Sequence, residues 1–383
     1  MKIDRMVAFL LFVIPAIAFA QSTTISHVNV FTAGSEGYHT FRIPAIETAP
    51  DGSLLAVCEA RKYNRSDPGF NDNDIDLVSR RSRDGGQTWS QLRVVDDPGE
   101  HWAACNPATL VDREMDRVWL FYCRTRPGRS SITSRPGTDD AQAWARYSSD
   151  HGESWSQPTE ITRIARDVKN WGGSFFGPGG AIQARSGRLL VPLSRTTGRR
   201  NAEGNLVGGT WNSFVIYSDD HGRSWRRGQL MPQRDWGDES QLIELADGRI
   251  LMDVRQGEGP HRWLTTSTDG GLTWSLPEVG EQSTPVCCSI ERYTLASHGD
   301  DRNRILWTGP KGPGRQKLVV RVSYDEGRSF VGEKLISTEK AAYSDTAILK
   351  DKRYGSVGVL WERDDYKYIT FTRFDLRFLE GKE

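Results

Sequence analysis

Residues 79–90, Ser-Arg-Arg-Ser-Arg-Asp-Gly-Gly-Gln-Thr-Trp-Ser, combine charge, a Gly-Gly corner and an aromatic ring, the ingredients of a ligand-binding loop. The same ingredients make a β-hairpin turn. Asp84 can hydrogen-bond its own backbone, Gly85 and Gly86 can take positive φ, and Trp89 restarts an apolar strand. Other chemistries fail on residue type and spacing. Gly177-Pro-Gly-Gly180 lacks the Lys-Ser/Thr pair of a phosphate loop. No Gly-x-Ser-x-Gly elbow frames a serine nucleophile. No Cys/His spacing fits a zinc site, so neither cofactor nor metal is expected.

The opening stretch recurs. Ser82, Ser148, Ser218, Ser267 and Ser323 each begin a Ser-x-Asp-x-Gly-x-Ser/Thr-aromatic unit, with successive starts 66, 70, 49 and 56 residues apart. That spacing is too long for two-helix repeats and suits a propeller blade of four strands with variable loops. An aromatic at a fixed place after each turn would fill the seam between neighbouring blades. The repeats are therefore scaffold, and the chemistry belongs elsewhere.

Strand-like segments dominate the rest: Asp76–Arg80, Arg117–Tyr122, Arg188–Pro192, Ser213–Tyr217, Gln241–Leu245, Arg249–Met252, Lys317–Arg321, Val357–Trp361 and Tyr368–Phe371. Asp-Gly pairs at 51–52 and 247–248 add two hairpin corners, and no amphipathic helix exceeds about ten residues. The expected fold is all-β, a six-bladed β-propeller of four-stranded antiparallel blades forming one domain over 21–383. Its last blade would be assembled from both ends of the chain.

Residues 1–20 carry Lys2 and Arg5, an apolar run from Met6 to Ile17, and Ala18-Phe19-Ala20, which together read as a secretory signal peptide. The run is too short to span a bilayer, so a secreted or periplasmic chain with no membrane span is expected. Fifty basic residues balance fifty acidic ones, and no global field recommends nucleic acid as a partner. Of the five cysteines, Cys105 and Cys123 could pair under oxidising conditions; buried thiols are the alternative, and pairing cannot be deduced from sequence.

The repeat is the Asp box, which several unrelated activities share. Five Asp boxes with Phe41-Arg42-Ile43-Pro44 near the start resemble the sialidase (neuraminidase) family of glycoside hydrolases. Further segments match in order: Glu59-Ala-Arg-Lys62, Asp74–Ser82, Gly177–Gly180, Asp238-Glu-Ser-Gln241, Tyr343-Ser-Asp345 and Val359-Leu-Trp-Glu362. The family more often has Tyr where Trp361 stands.

The resemblance implies an exo-α-sialidase that hydrolyses terminal α-linked sialic acids with retention. Its partners would be sialylated glycoproteins, glycolipids and oligosaccharides, met by a monomer. Sialic acid carries a carboxylate on its anomeric carbon, which planar guanidinium forks grip bidentately. The family's arginine triad maps to Arg42, Arg255 and Arg315; Arg321 is the rival for the third place, its strand position favouring a structural role. A carboxylate nucleophile would repel that substrate, so a tyrosine activated by a base serves instead. Tyr343 matches the nucleophile, Glu239 its base and Glu362 the carboxylate orienting Arg42. The acid/base is an aspartate of the loop 61–74, where Asp67 before Pro-Gly fits best, Asp72 is second, and Asp74 and Asp76 help start the strand. Arg61 and Asn106 are expected to reach the site. Trp171, Phe175 and Phe176 either line its rim or pack inside a loop. Two alternatives stay open: a glycosidase for a related acidic ketose (Kdn or Kdo), and a non-catalytic propeller that binds glycans or proteins.

Overall fold

A computed structural model describes residues 25–200, 206–232, 237–257, 259–351 and 355–381. The proposed signal peptide lies outside these residues. The chain forms antiparallel strands joined in sequence, with α-helix only at Thr162–Ala165 and Leu376–Glu380 among the described residues. Each expected strand segment falls within, or within one residue of, an observed strand. No helix of the described residues is long and apolar enough to cross a membrane.

The strands pair in successive runs. The first comprises Thr40–Thr48, Leu54–Arg61, Ile75–Ser82 and Arg93–Asp96. Next come Ala103–Asp112, Arg117–Thr125, Ala141–Ser148 and Thr159–Glu160. A third run joins Gly173–Phe176 and Ile182–Gln183 to Leu189–Arg200, Leu206–Ser218 and Arg226–Arg227. The fourth holds Gly237–Glu244, Ile250–Gln256, His261–Ser267 and Glu278–Gln282. Ser289–Thr294, Arg304–Pro310 and Gln316–Ser323 then pair onward to the first half of the long strand Val331–Leu349. Its second half begins a closing run with Ser356–Arg363, Tyr368–Phe374 and the N-terminal strand Ser26–Thr32. Both ends of the chain thus share one sheet, as expected.

The apolar core lies in the seams between runs. Cys105, Phe121, Phe175, Phe176, Leu193 and Phe214 fill the seam between the second and third. Phe31, Phe41, Cys58, Val78, Leu360 and Phe371 fill the one between the closing run and the first. All five cysteines are buried free thiols, so Cys105 and Cys123, opposite each other on paired strands, act as small core residues.

The boxes do the turning and sealing expected of them. Asp84 Oδ1 accepts hydrogen bonds from the backbone N–H groups of Gln87 (3.0 Å) and Thr88 (2.9 Å), while Oδ2 accepts from the Thr88 hydroxyl (2.6 Å). The Ser82 hydroxyl donates to Asp84 and accepts from Gly86 N–H. Trp89 meets Phe371 of the neighbouring run edge-on at 5.4 Å, and Trp225 meets Phe121 likewise at 5.1 Å. Gly86, at φ +87°, has no room for a side chain, since a Cβ would sit 2.0 Å from the Phe371 ring.

Burial opposes ionisation at Asp84, Asp150 and Asp269, but the donated hydrogen bonds dominate and hold all three at about 2. Asp220 reaches about 2 chiefly through the Ser224 hydroxyl. A carboxylate depressed on folding stabilises the fold above its unfolded pKa of ~3.9, and that contribution disappears as pH falls through the folded value. Melting temperature should therefore fall between about pH 4 and pH 2. In Asp84→Asn the fall over that window should be shallower and the melting temperature at pH 6 lower; an unchanged slope would show that the box does not titrate this way.

Candidate active site

The functional side chains sit where strand pairing slips. In the first run Arg42 pairs with Glu59 and Ala45 with Val57, leaving Ile43 and Pro44 opposite Cys58 alone. The same extra residue occurs at Asn106-Pro107 opposite Tyr122, Asp238-Glu239 opposite Arg255, and Ala342-Tyr343 opposite Glu362. Such a bulge breaks the strict up-down alternation of a strand and re-aims a side chain. Ile43 and Asn106 adopt positive φ of 57° and 54° there, a genuine outlier for a β-branched residue. These four strands thereby turn polar residues toward one end of the ring.

A cavity of about 230 Å3 opens at that end, lined among others by Arg61, Asp67, Asn106, Asp238, Glu239, Arg255 and Tyr343, with Phe70, Ile132, Phe175 and Trp211 as apolar wall. At its centre the Tyr343 hydroxyl lies 2.7 Å from both Glu239 carboxylate oxygens. Arg255 Nη1 donates to Glu239 Oε2 (2.7 Å) and to the Tyr343 hydroxyl oxygen (2.8 Å). Burial pushes the phenol well above its ordinary pKa, opposed by the guanidinium charges of Arg255 and Arg315. Tyr343 is therefore a neutral phenol whose proton already points at a carboxylate.

Arg42 is held from behind. Its Nε donates to Glu362 Oε1 at 2.6 Å, and Glu362 also accepts from the backbone N–H groups of Ile43 (2.9 Å) and Tyr343 (3.1 Å). The Arg42 guanidinium lies 4.0 Å from the centre of the Tyr366 ring, and Arg315 Nη1 donates to the Tyr366 hydroxyl at 2.8 Å. Burial disfavours the Arg42 cation, but the Glu362 carboxylate overcomes this and holds its pKa above the usual arginine value. Arg315 and Glu362 line a smaller depression with Tyr366 beside the main cavity. Arg42 and Arg315 both approach the Tyr343 ring, at 5.6 and 5.7 Å from its centre.

Across the cavity, Arg61 Nη1 donates to Asp67 Oδ1 at 2.9 Å, and Arg42 Nη1 is 3.8 Å from the same oxygen. The Asp67 side chain is 67% exposed. Partial desolvation would raise its pKa, but the charges of Arg61, Arg42 and Arg315 prevail and hold it below the ordinary aspartate value.

Residues 52–359 match the family of BNR repeat-like domains. A sialidase of Micromonospora viridifaciens is 32% identical, the match covering 91% of this chain and 53% of that protein. A sialidase of Bacteroides fragilis (strain YCH46) is 27% identical, over 91% of this chain and 64% of that one. The chain thus spans about half to two thirds of the length of these curated relatives. Among solved structures, the Hadza microbial sialidase Hz136 superposes with a TM-score of 0.82 at 24% identity, covering 92% of this chain and 69% of that one. The fold is a β-propeller carrying Asp-box repeats. The chain belongs to the family of BNR repeat-like domains, and the curated relatives it matches are sialidases.

Every proposed site residue falls in or beside this cavity: Arg42, Arg61, Asp67, Asn106, Glu239, Arg255, Arg315, Tyr343 and Glu362. Asp72 does not; it is exposed at a turn, and its carbonyl accepts from His101. Asp74 and Asp76 pair with Lys62 instead. Arg321 pairs with Glu281 and Glu333 and lies over Trp307, a structural placement. Phe175 lines the cavity, Phe176 is core, and Trp171 packs on Phe214.

Four contributors carried no assigned role in the sequence. Glu59 grips Arg61 at 2.6 Å and accepts from Asn106 N–H at 3.0 Å; its position two residues before Arg61 on one strand, hence on the same face, was an available signal. Asp238, driven up to about 6 chiefly by burial, adds a second carboxyl beside Glu239. Tyr366 comes from a turn and Trp211 from the strand Leu206–Ser218, and neither position carries such a sign in the sequence.

Glu362→Ala would leave the buried Arg42 cation without its carboxylate. Removing one partner of a buried pair costs about 3–5 kcal/mol, so urea unfolding should show a loss of that size, with a smaller loss in Glu362→Gln, which keeps an acceptor. A loss under ~1 kcal/mol in Glu362→Ala, typical of an exposed pair, would refute this role.

Proposed function

We propose that this chain is an exo-acting α-sialidase on a six-bladed propeller, exported by its leader and releasing terminal sialic acids with retention. Six runs of antiparallel pairing support the blade number. The observation that carries the activity is the Tyr343 hydroxyl, held 2.7 Å from both oxygens of Glu239 and 2.8 Å from Arg255.

On this reading the substrate carboxylate lies against Arg42, Arg255 and Arg315. The Tyr343 oxygen attacks the anomeric carbon while its proton passes to Glu239, and Asp67 protonates the departing glycosidic oxygen. The glycosyl–tyrosine bond is then broken by water that gives its proton to Asp67, and Tyr343 recovers its own from Glu239. Two inversions at one carbon give net retention. A neutral nucleophile suits a substrate that carries its own negative charge beside the reacting carbon.

Tyr343→Phe should lower kcat on an aryl α-sialoside by about 10³-fold or more, equivalent to ~4 kcal/mol in barrier. Cleavage at the parent rate would sink the mechanism. Glycosides of Neu5Ac, Kdn and Kdo, with the released sugar identified by mass, separate the sialidase from an enzyme for a related acidic ketose. Binding of these glycans with no release of sugar would favour the non-catalytic alternative.

The ionisation of Asp67 yields a second prediction. Its pKa is depressed by arginines that the substrate carboxylate would neutralise on binding. An acid catalyst loses activity as pH rises through its pKa, and kcat reports the complex whereas kcat/KM reports the free enzyme. The basic limb should therefore lie at higher pH in kcat than in kcat/KM. Coincident limbs would show that substrate binding does not retune Asp67.

A further inference from the structure

The segment 126–140 joins two strands of the second run and carries Ser130, Ser131 and Ile132 to the cavity wall. Its backbone also closes on the loop that bears Asp67. A Cβ placed on Gly69, which has φ +79°, would lie 2.2 Å from the Arg129 carbonyl oxygen and 2.7 Å from its backbone nitrogen. Only glycine meets both demands, on conformation and on space. Asp67 is two residues away, with Pro68 stiffening the link between them.

The segment is itself anchored by a buried cation. Arg166, 2% exposed, donates to the backbone carbonyls of Arg135 (2.7 Å), Thr138 (3.1 Å), Ala141 (2.8 Å) and Trp171 (3.0 Å). The described ion pairs give it no carboxylate partner. A guanidinium spread over four carbonyls fixes backbone shape rather than balancing charge, since its rigid fork of donors sets where each carbonyl lies. On the far side, the Thr196 hydroxyl donates to the Ser131 carbonyl at 2.9 Å, tying the segment to the third run.

We propose that segment 126–140 is a strut that positions the acid/base loop, with Gly69 the positioning residue at its contact and Arg166 the anchor behind it. This rests on the reading of Asp67 as the acid. Asp67 is largely exposed, so beyond its ion pairs with Arg61 and Arg42 its carboxyl is placed through the loop rather than by packing of the side chain. Braces exist within the loop: Asn73 Nδ2 donates to the Asn64 and Ser66 carbonyls at 3.1 and 2.7 Å. These shape the loop but do not attach its tip to the opposite wall. The contact of Gly69 with Arg129 does.

The test compares two leaving groups. A methyl α-sialoside expels an alkoxide and depends on protonation by Asp67, whereas a 4-nitrophenyl α-sialoside expels a stable phenolate and hardly does. Because small misplacement of a catalytic group costs up to roughly 100-fold, Gly69→Ala should lower kcat on the methyl glycoside by about 10- to 100-fold. Its KM for the methyl glycoside and its kcat/KM on the nitrophenyl glycoside, which stops at the glycosyl–tyrosine bond and omits the water step that Asp67 also serves, should stay within about threefold of the parent. Arg166→Lys, which keeps the cation but not the planar fork, should show the same selective loss to a smaller degree. It carries the test alone if Gly69→Ala does not fold by circular dichroism. Equal losses on both glycosides, or no loss on either, overturn the strut. An Asp67→Asn control separates this from failure of the underlying reading: that variant should lose far more on the methyl than on the nitrophenyl glycoside, and if it shows no such bias the assignment of Asp67 fails rather than the strut.

Discussion

The structure turns on one buried carboxylate, Glu362. It accepts hydrogen bonds from the Arg42 guanidinium, the Ile43 backbone and the Tyr343 backbone, and so ties the first run of strands to the closing one. Arg42 and Tyr343 lie 301 positions apart in the chain, and their relative placement depends on how the ring closes. Ring closure by the N-terminal strand and orientation of the site are therefore one event in energy terms. Neither ion is independently stable there: buried alone, each would carry a desolvation penalty of several kcal/mol.

The bulges explain how a regular sheet presents irregular chemistry. An unbroken strand sends neighbouring residues to opposite faces, which would bury either Asp238 or Glu239 in a seam. The slip opposite Arg255 lets both line the cavity. Repeating the slip at Asn106 and Tyr343 gathers contributions from separate runs around one axis. Backbone strain at Ile43 and Asn106 accompanies this arrangement, as expected where a scaffold over-determines a functional conformation.

Much of this was legible in the sequence because it is local or repeated. The boxes specify a turn with five residues and reveal the seam by placing an aromatic at a constant offset; Trp89 on Phe371 and Trp225 on Phe121 fill those seams. The candidate residues that gather at the cavity stand in recognisable motifs, and the Pro-Gly after Asp67 favours it over Asp72 as the expected acid/base. What stayed hidden depends on contacts between distant segments. Tyr366 stands in a turn with nothing periodic about it, yet it meets both Arg42 and Arg315. The packing of Gly69 against Arg129 exists only once two loops are in place. The thiol state of Cys105 and Cys123 likewise waited on the fold, because residues opposite each other on paired strands still need suitable geometry to bond.

Charge balance links the site to its proposed substrate. Arg42, Arg61 and Arg255 already engage Glu362, Glu59 and Glu239, and those pairs let arginines persist in a partly dry cavity. Asp67 draws on what is left, from Arg61 and Arg42. An incoming carboxylate would compete with Asp67 for that remaining positive field. On the proposed mechanism its arrival would weaken the positive field that depresses the Asp67 pKa, just when a proton donor is required. A neutral ligand of the same shape would leave Asp67 charged and unable to donate. On the proposed reading the arrangement would select for an anionic substrate twice, once in binding it and again in readying the acid, and the second selection would need no contact beyond those that make the first.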